Sequence, residues 1–195
     1  QSDEITRVLA PHGPNSEPWL GGKLQKLVSI TASQATAFFN AAVLQAIPEK
    51  AGKLAVFDSR AWVVPSREEA VNALLWRELD ATKNSISMAT RHYYSHKQMH
   101  KKTGSEMQDM LHAVGVNWND YPAFFKRGSF LRRVVVERTL TPAELEGLPE
   151  RHDARRNPDL VVTRSSIEVC PMPPFMQVVN RADVVFEGAE PQVAQ

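Results

Sequence analysis

Cysteine is all but missing from these 195 residues. Cys170 stands alone, so no disulfide can close within the chain and a cysteine-based zinc site is excluded. An ordinary buried thiol is expected there. No stretch approaches the roughly 20 uninterrupted apolar residues of a membrane helix. The opening, Gln1 to Glu4, has neither the basic nor the apolar part of a signal peptide. A cytoplasmic protein with no membrane partner is the expectation. Excess charge of one sign is lacking too, since 23 Lys and Arg offset 22 Asp and Glu. Any nucleic-acid contact must then be local. Two basic clusters can supply it, His96 to Lys102 and Arg127 with Arg132 and Arg133, although each also reads as a solvated charged face. Glycine-rich dinucleotide loops and internal repeats are absent as well, which favours a compact α+β fold over a doubly wound α/β one.

What is present is a readable order of elements. Ile5 to Leu9 alternates apolar with polar and breaks at Pro11, Gly13, Pro14 and Pro18, as a strand leaving into a loop does. From Lys23, apolar residues recur at three- and four-residue intervals up to Leu44, predicting an amphipathic helix that Pro48 stops. Leu54 to Phe57 and Ala61 to Val64 read as one or two strands closed by Pro65. Ser66 with Glu69, and Thr103 with Glu106, are capping boxes. They predict a long helix to about Tyr94 and a shorter one ended by Gly115. After a turn-rich loop from Asn117 to Pro122 come a strand from Phe130 to Arg138 and a short helix from Thr141 to Leu148. An exposed loop from Arg151 to Pro158 follows, then closing strands over Leu160 to Val169 and Ala182 to Phe186. Ala189 to Gln195 reads as disordered.

Four constellations can carry chemistry. Asp3 and Glu4 head a strand, where neighbouring side chains point to opposite faces, so one carboxylate can serve as a metal ligand; a solvated strand edge has the same composition. Lys23 and Lys26 share one side of a helix start behind Gly21 and Gly22, where open amides and the helix dipole favour a polyphosphate. Arg77, Asp80, Asn84, Ser87 and Arg91 form a polar stripe on the long helix, beside Trp76, that is either plain surface or a wall for nucleotide or RNA. His92, His96 and His100 have a metal-compatible spacing, but Lys97 and Lys101 between them would repel a cation, and a basic solvated face is preferred.

In order, these pieces resemble one family, the tRNA-His guanylyltransferases and their relatives that extend RNA in the 3′-to-5′ direction. Gln1 to Glu4 is similar to the family's second metal-binding strand, Trp19 to Lys26 to its basic helix start, and Phe57 to Arg60 with Val64 to Ser66 to its central strand and turn. Trp76 with Arg77, Asp80 and Asn84 resembles its long-helix motif, and Gly115 to Asn119 with Lys126 to Gly128 its following loop. The resemblance implies a polymerase palm-like antiparallel sheet backed by helices, with an appended helical part. Residues 1–65 would be a partial palm carrying the second metal-binding strand, and residues 66–195 the helical part and closing strands. It implies phosphoryl transfer with two Mg²⁺ ions, GTP and ATP, acting on the 5′ end of tRNA or another RNA. Asp3 would be a metal ligand and, with Glu4, catalytic. Ser2, Lys23, Lys26, Arg60 and Asn84 would contact the nucleotide, and Arg77, Asp80, Asn117 and Asn119 the RNA. A homo-oligomer, dimer or tetramer, is implied as well.

Departures from the family pattern shape the expectation further. The family's first catalytic carboxylate, in an Asp-Gly-Arg context on an earlier strand, has no counterpart here, so an upstream segment or a partner is expected to complete the metal site. Thr82 stands where eukaryotic members have histidine, and Gly104 to Glu106 where they have Lys-Asn-Glu. Templated repair of RNA 5′ ends, the expected activity of bacterial, archaeal and viral relatives, follows from that pattern. The alternative is a non-catalytic RNA-binding or assembly module built on the same scaffold.

Overall fold

A computed structural model describes residues 3–10, 16–157 and 159–194. It is a mixed α+β structure, with an antiparallel sheet and helices as the sequence leads one to expect. The chain forms two compact units, Arg7–Ala70, and Gln1–Thr6 together with Val71–Gln195. The division falls five residues beyond the expected border at 65/66, and the first six residues group with the later part of the chain.

In the first unit, Trp19–Gly22 forms a tight turn in which Leu20, Gly21 and Gly22 all take positive φ. Helix α1, Leu24–Ala46, follows, and Pro48–Lys50 turns the chain at its end, as Pro48 demands. By length and mean hydropathy α1 could cross a membrane, although Lys26, Gln34 and Asn40 interrupt any apolar run in it. One side of it, however, holds protein backbone. Asn40 donates to the Ala55 carbonyl and accepts the Ala55 N–H, both at 2.9 Å, and Thr36 Oγ1 accepts the Phe57 N–H at 3.1 Å. The Thr31 and Ser59 hydroxyls meet at 2.7 Å, and the Phe39 and Phe57 rings pack edge to face at 5.3 Å. Residues 54–64 are thus not a strand, although 54–60 keep the alternation of an extended segment. Their alternation is real, with Ala55, Phe57 and Ser59 turned in and Leu54, Val56, Asp58 and Arg60 out. The backbone partners, though, are helix side chains rather than a neighbouring strand. Ile5 to Leu9 likewise has no ladder among the described residues.

The second unit is organised by α2, Arg67–Arg91, most of which belongs to it. The Ser66 hydroxyl accepts the Glu69 N–H at 3.3 Å, starting the helix where the capping box places it. Helices α3, His96–Met99, and α4, Gly104–Ala113, follow. Thr103 and Glu106 satisfy each other's amides at the start of α4. Its end is a Schellman turn, with Val116 N–H to Leu111 O, Gly115 N–H to His112 O, and Gly115 at φ 77°. Thr90 Oγ1, wholly buried, donates to the Ile86 carbonyl at 2.8 Å and meets the Met107 carbonyl of α4 at 3.5 Å, and Tyr94 Oη, just past the end of α2, reaches Met110 O at 2.9 Å.

After α5, Ala123–Arg127, strands β1, Phe130–Thr139, and β2, Val161–Cys170, pair antiparallel from Phe130↔Cys170 to Thr139↔Val161. Between them lie α6, Pro142–Glu146, and α7, Asp153–Arg156. The latter stands in what the composition suggested was loop, because His152 Nδ1 caps it by accepting the Ala154 N–H. Residues 182–186 are helical, not a strand, within α8, Arg181–Phe186. That helix turns Val184 into a core with Val71, Phe175 and Val178, against which Phe130, Met172 and Phe186 pack. Cys170 is buried, as expected. The tail is not loose as far as it is described. Gln192 N–H donates to Asn180 Oδ1, Val193 bridges Val178, and Arg132 donates to the Gly188 and Ala189 carbonyls.

Candidate functional site

In the unit containing most of α2, the polar stripe is a connected network. Arg77, Asp80 and Asn84 lie at i, i+3 and i+7, on one face of the helix. The Arg77 guanidinium ion-pairs with Glu4 and approaches Asp80 at 3.5 Å, and Asn84 Nδ2 donates to the same Asp80 oxygen at 3.1 Å. Arg77 also lies over the Trp76 ring, 4.9 Å from its centroid. Its side chain is 18% exposed while Trp76 is 61% exposed. The network therefore holds a half-sheltered cation beside an open indole face. Ser87, by contrast, turns to α4, its hydroxyl 3.7 Å from Met107 Sδ.

The loop carrying Asn117 and Asn119 is fixed to α2 by Ser85, which the sequence reading passed over. Ser85 is fully buried; its hydroxyl faces the Thr82 carbonyl at 2.7 Å and the Lys126 carbonyl at 3.1 Å, and accepts Trp118 Nε1–H at 3.1 Å. Asn117 Oδ1 accepts the Asn119 N–H and so caps the turn Trp118–Asp120. Lys126 Nζ donates to the Asn119 carbonyl and sits 5.5 Å from the Trp118 ring centroid. Asn117 is thus engaged in holding its own loop, and Asn119 is exposed beside a lysine.

Glu78 was also missed. It is buried on α2 and accepts the Phe175 N–H at 2.8 Å. Burial pushes its carboxyl above the ordinary range, against the pull of that N–H and of Arg127. It lines a cavity of about 150 Å³ with Arg127, Phe130, Cys170 and Met172. The only sign in the sequence is an acidic residue on the apolar side of the helix, between Leu74 and Ala81.

Asp3 is exposed, next to the Glu4 that Arg77 holds. Carboxylate oxygens suit a hard cation such as Mg²⁺. Among the described residues, however, no group of three or more His, Cys, Asp and Glu side chains could hold a metal ion. Asp3 and Glu4 therefore do not make a metal site by themselves. The same finding covers His92, His96 and His100, although the His96 and His100 rings approach to 6.2 Å.

In the Arg7–Ala70 unit, Lys23 and Lys26 are both exposed at the start of α1, where Lys23 is the N-cap residue and no side chain caps the open amides. Arg60 ion-pairs with Asp58 at 3.0 Å, both largely in water, an arrangement worth at most about 1 kcal/mol. Arg7 lies over the Trp19 ring at 4.7 Å. Ser2 lies outside the described residues.

No family model and no curated protein matches the chain. Among solved structures, a bacterial tRNA(His) guanylyltransferase (Thg1)-like protein in complex with ATP superposes with a TM-score of 0.62 at 31% identity, over 89% of this chain and 63% of its own. Another, in complex with GTP, superposes with a TM-score of 0.51 at 29% identity, over 85% of this chain and 56% of its own. This chain therefore spans less than two thirds of the length of either neighbour.

Proposed function

We propose, from the premise that this chain is a relative of the bacterial tRNA(His) guanylyltransferase-like proteins, that it serves a nucleotidyltransferase which joins nucleotides to RNA 5′ ends. The observation that carries this is the 31% identity, spread over 89% of the chain, to a structure named as holding ATP. Under this reading GTP and ATP are the nucleotides and the 5′ end of a tRNA or another RNA is the acceptor. Growth is 3′-to-5′ and templated, and the assembly is a cytoplasmic dimer or tetramer. Residues 1–65 correspond to part of a palm and 66–195 to its helical part and closing strands.

Each side chain then has a physical task. Lys23 and Lys26 offset triphosphate charge at the open amides of α1, with Ser2 and Arg60 as further nucleotide contacts. Arg77, oriented by Glu4 and Asp80, offers a sheltered guanidinium toward phosphate or base, and Trp76 beside it a face for stacking. Asn84, Asn117 and Asn119 supply amides for nucleotide or RNA. Asp3 would be one carboxylate ligand of Mg²⁺, with Glu4 beside it as a further acidic group. The ion, when bound, would supply Lewis-acid stabilisation of the phosphoryl group.

The experiment is incorporation of labelled GTP into a 5′-truncated tRNA in the presence of Mg²⁺. Incorporation that falls at least tenfold with Asp3→Ala, together with weaker GTP binding by a Lys23→Ala/Lys26→Ala protein, is the expected result. Full activity of the Asp3→Ala protein would overturn the role of Asp3. A second reading, a non-catalytic RNA-binding or assembly module, is favoured by one observation, that Glu4 is tied to Arg77 rather than grouped with other acidic residues. RNA binding without any incorporation would select it.

A further inference from the structure

The ribbon formed by β1 and β2 meets the rest of its unit on one face, near the Phe130–Cys170 end, and has its other face in water. Phe130, Arg132 and Cys170 belong to the inner face, through the Phe175 ring, the Gly188 carbonyl and the core. The outer face is built of five cross-strand rows, and all ten of its residues are exposed. Leu131, Val135, Val161, Ile167 and Val169 lie on it at 58% to 68% exposure. Two strands with an uncovered apolar face are marginal in water, and an aliphatic patch on this scale marks an interaction surface.

The order of the rows identifies what covers it. Along β1 the outer residues run Leu131, Arg133, Val135, Glu137 and Thr139, with opposite charges equally spaced on either side of Val135. Opposite them on β2 stand Val169, Ile167, Ser165, Thr163 and Val161. Consider a second copy stacked face to face, with a twofold axis in the interface running across both strands at the Val135–Ser165 row. Arg133 of each copy then faces Glu137 of the other, twice. Val169 faces Val161, Ile167 faces the Thr163 methyl, Leu131 faces the Thr139 methyl, and Val135 meets its own counterpart. No like charges meet. A twofold axis along the strands instead would press Arg133 onto Ile167 and leave both charges unmatched. Among the described residues, neither Arg133 nor Glu137 has an ion-pair partner within the chain. Sheet faces pack about 10 Å apart, a gap that an Arg and a Glu reaching from opposite sides can close.

We infer that the outer face of the β1–β2 ribbon is a self-complementary interface through which two copies of this chain associate, with Arg133 and Glu137 setting their register. The inference gives a face to self-association and does not depend on nucleotidyl transfer. Its test is sedimentation velocity of the full chain at tens of micromolar, with circular dichroism to show that each variant is folded. The wild-type chain should sediment as a dimer or a multiple of one. Arg133→Glu and Glu137→Arg should each weaken association by roughly tenfold or more, because each puts two like-charged pairs at the interface. The combined Arg133→Glu/Glu137→Arg protein restores opposite charges and should associate like the wild type. A monomeric wild-type chain, single reversals that leave the mass unchanged, or a double reversal that does not recover the dimer would each overturn the assignment. GTP incorporation, measured in parallel, reports separately on the catalytic proposal.

Discussion

Glu78 shows how one side chain ties distant sequence together. Its carboxyl, 6% exposed, accepts an amide from Phe175, which is itself fully buried, so that N–H has no water to turn to. Glu78→Ala should therefore cost about 1–3 kcal/mol, the usual penalty for a buried donor left unpaired. Glu78→Gln keeps a carbonyl acceptor and removes the charge that burial disfavours. The sign follows from the raised carboxyl. A folded-state pKa above the unfolded one gives stability that is complete below the unfolded value, near 4.5, and lost as pH rises through the folded value. At pH 7 the Gln protein should thus melt at or above the wild type, and the gap should close toward pH 4.5. Thermal melts of both variants at the two pH values check this; a Gln protein as unstable as the Ala protein at pH 7 would contradict it.

At the scale of elements, the extended segment beside α1 is the informative case. Asn40 makes a two-way bond to Ala55 and Thr36 accepts from Phe57, so the helix surface substitutes for a neighbouring strand. Asn40→Ala should leave α1 intact, since alanine favours helix, yet free residues 54–59. Amide exchange at Ala55 should accelerate strongly and at Phe57 less, while the amides of the middle of α1 hold; unchanged exchange at Ala55 would show that the segment is held by other means. The same segment explains which elements were legible. Alternating burial at Ala55, Phe57 and Ser59 signals an extended backbone with one covered face, but not what covers it, and a strand was the natural inference. Helices α1, α2 and α4 were legible because their caps and periodicity are local: Ser66, Thr103, Gly115 and Pro48 act on residues within a few positions. Strands β1 and β2 were legible for the same reason. Residues 182–186 were not, because five residues in which Asp183 interrupts the apolar side chains are compatible with either period, and only packing on Phe175 and Val178 decides for helix. The ordered tail depends on Arg132, far away in sequence, and on Asn180, which binds the Glu190 carbonyl across a turn of the chain. The candidate site divides similarly. The Arg77–Asp80–Asn84 stripe could be read from helical spacing, whereas the Glu4–Arg77 pair and the Ser85 anchor under Trp118 are long-range contacts that no local pattern encodes.

For the whole molecule, a net charge of +1 places no large self-repulsion on the fold at neutral pH, so its response to acid depends on where individual carboxylates sit. Two of them occupy capping boxes. The Thr103 amide, with Lys102 and the Thr103 hydroxyl, holds Glu106 down to about 2. Arg138, ahead of the Thr141 amide and hydroxyl, holds Glu144 well below the ordinary range. Both shifts have the sign opposite to that of Glu78. A lowered folded-state pKa gives stability that is present above the unfolded value, near 4.5, and lost as pH falls through the folded one. Acid should therefore relax the strain at Glu78 on the way down to pH 4.5, and below that value, where Glu78 has no more stability to gain, the loss of the two caps is unopposed. Melting temperature should hold or rise slightly from pH 7 to 5, as Glu78 is protonated, and fall steadily from 4.5 toward 2. Glu106→Gln and Glu144→Gln should each start lower at neutral pH and fall less steeply, converging on the wild type at the acid end, where the wild-type carboxyls are protonated as well. Both glutamates belong to the unit that also contains Trp76 and Trp118, while Trp19 and Trp62 belong to the other. A Trp19→Phe/Trp62→Phe background would let tryptophan fluorescence follow the capped unit alone. If its acid transition were unmoved by either Gln substitution, the loss of the caps could not be what acid does to this protein.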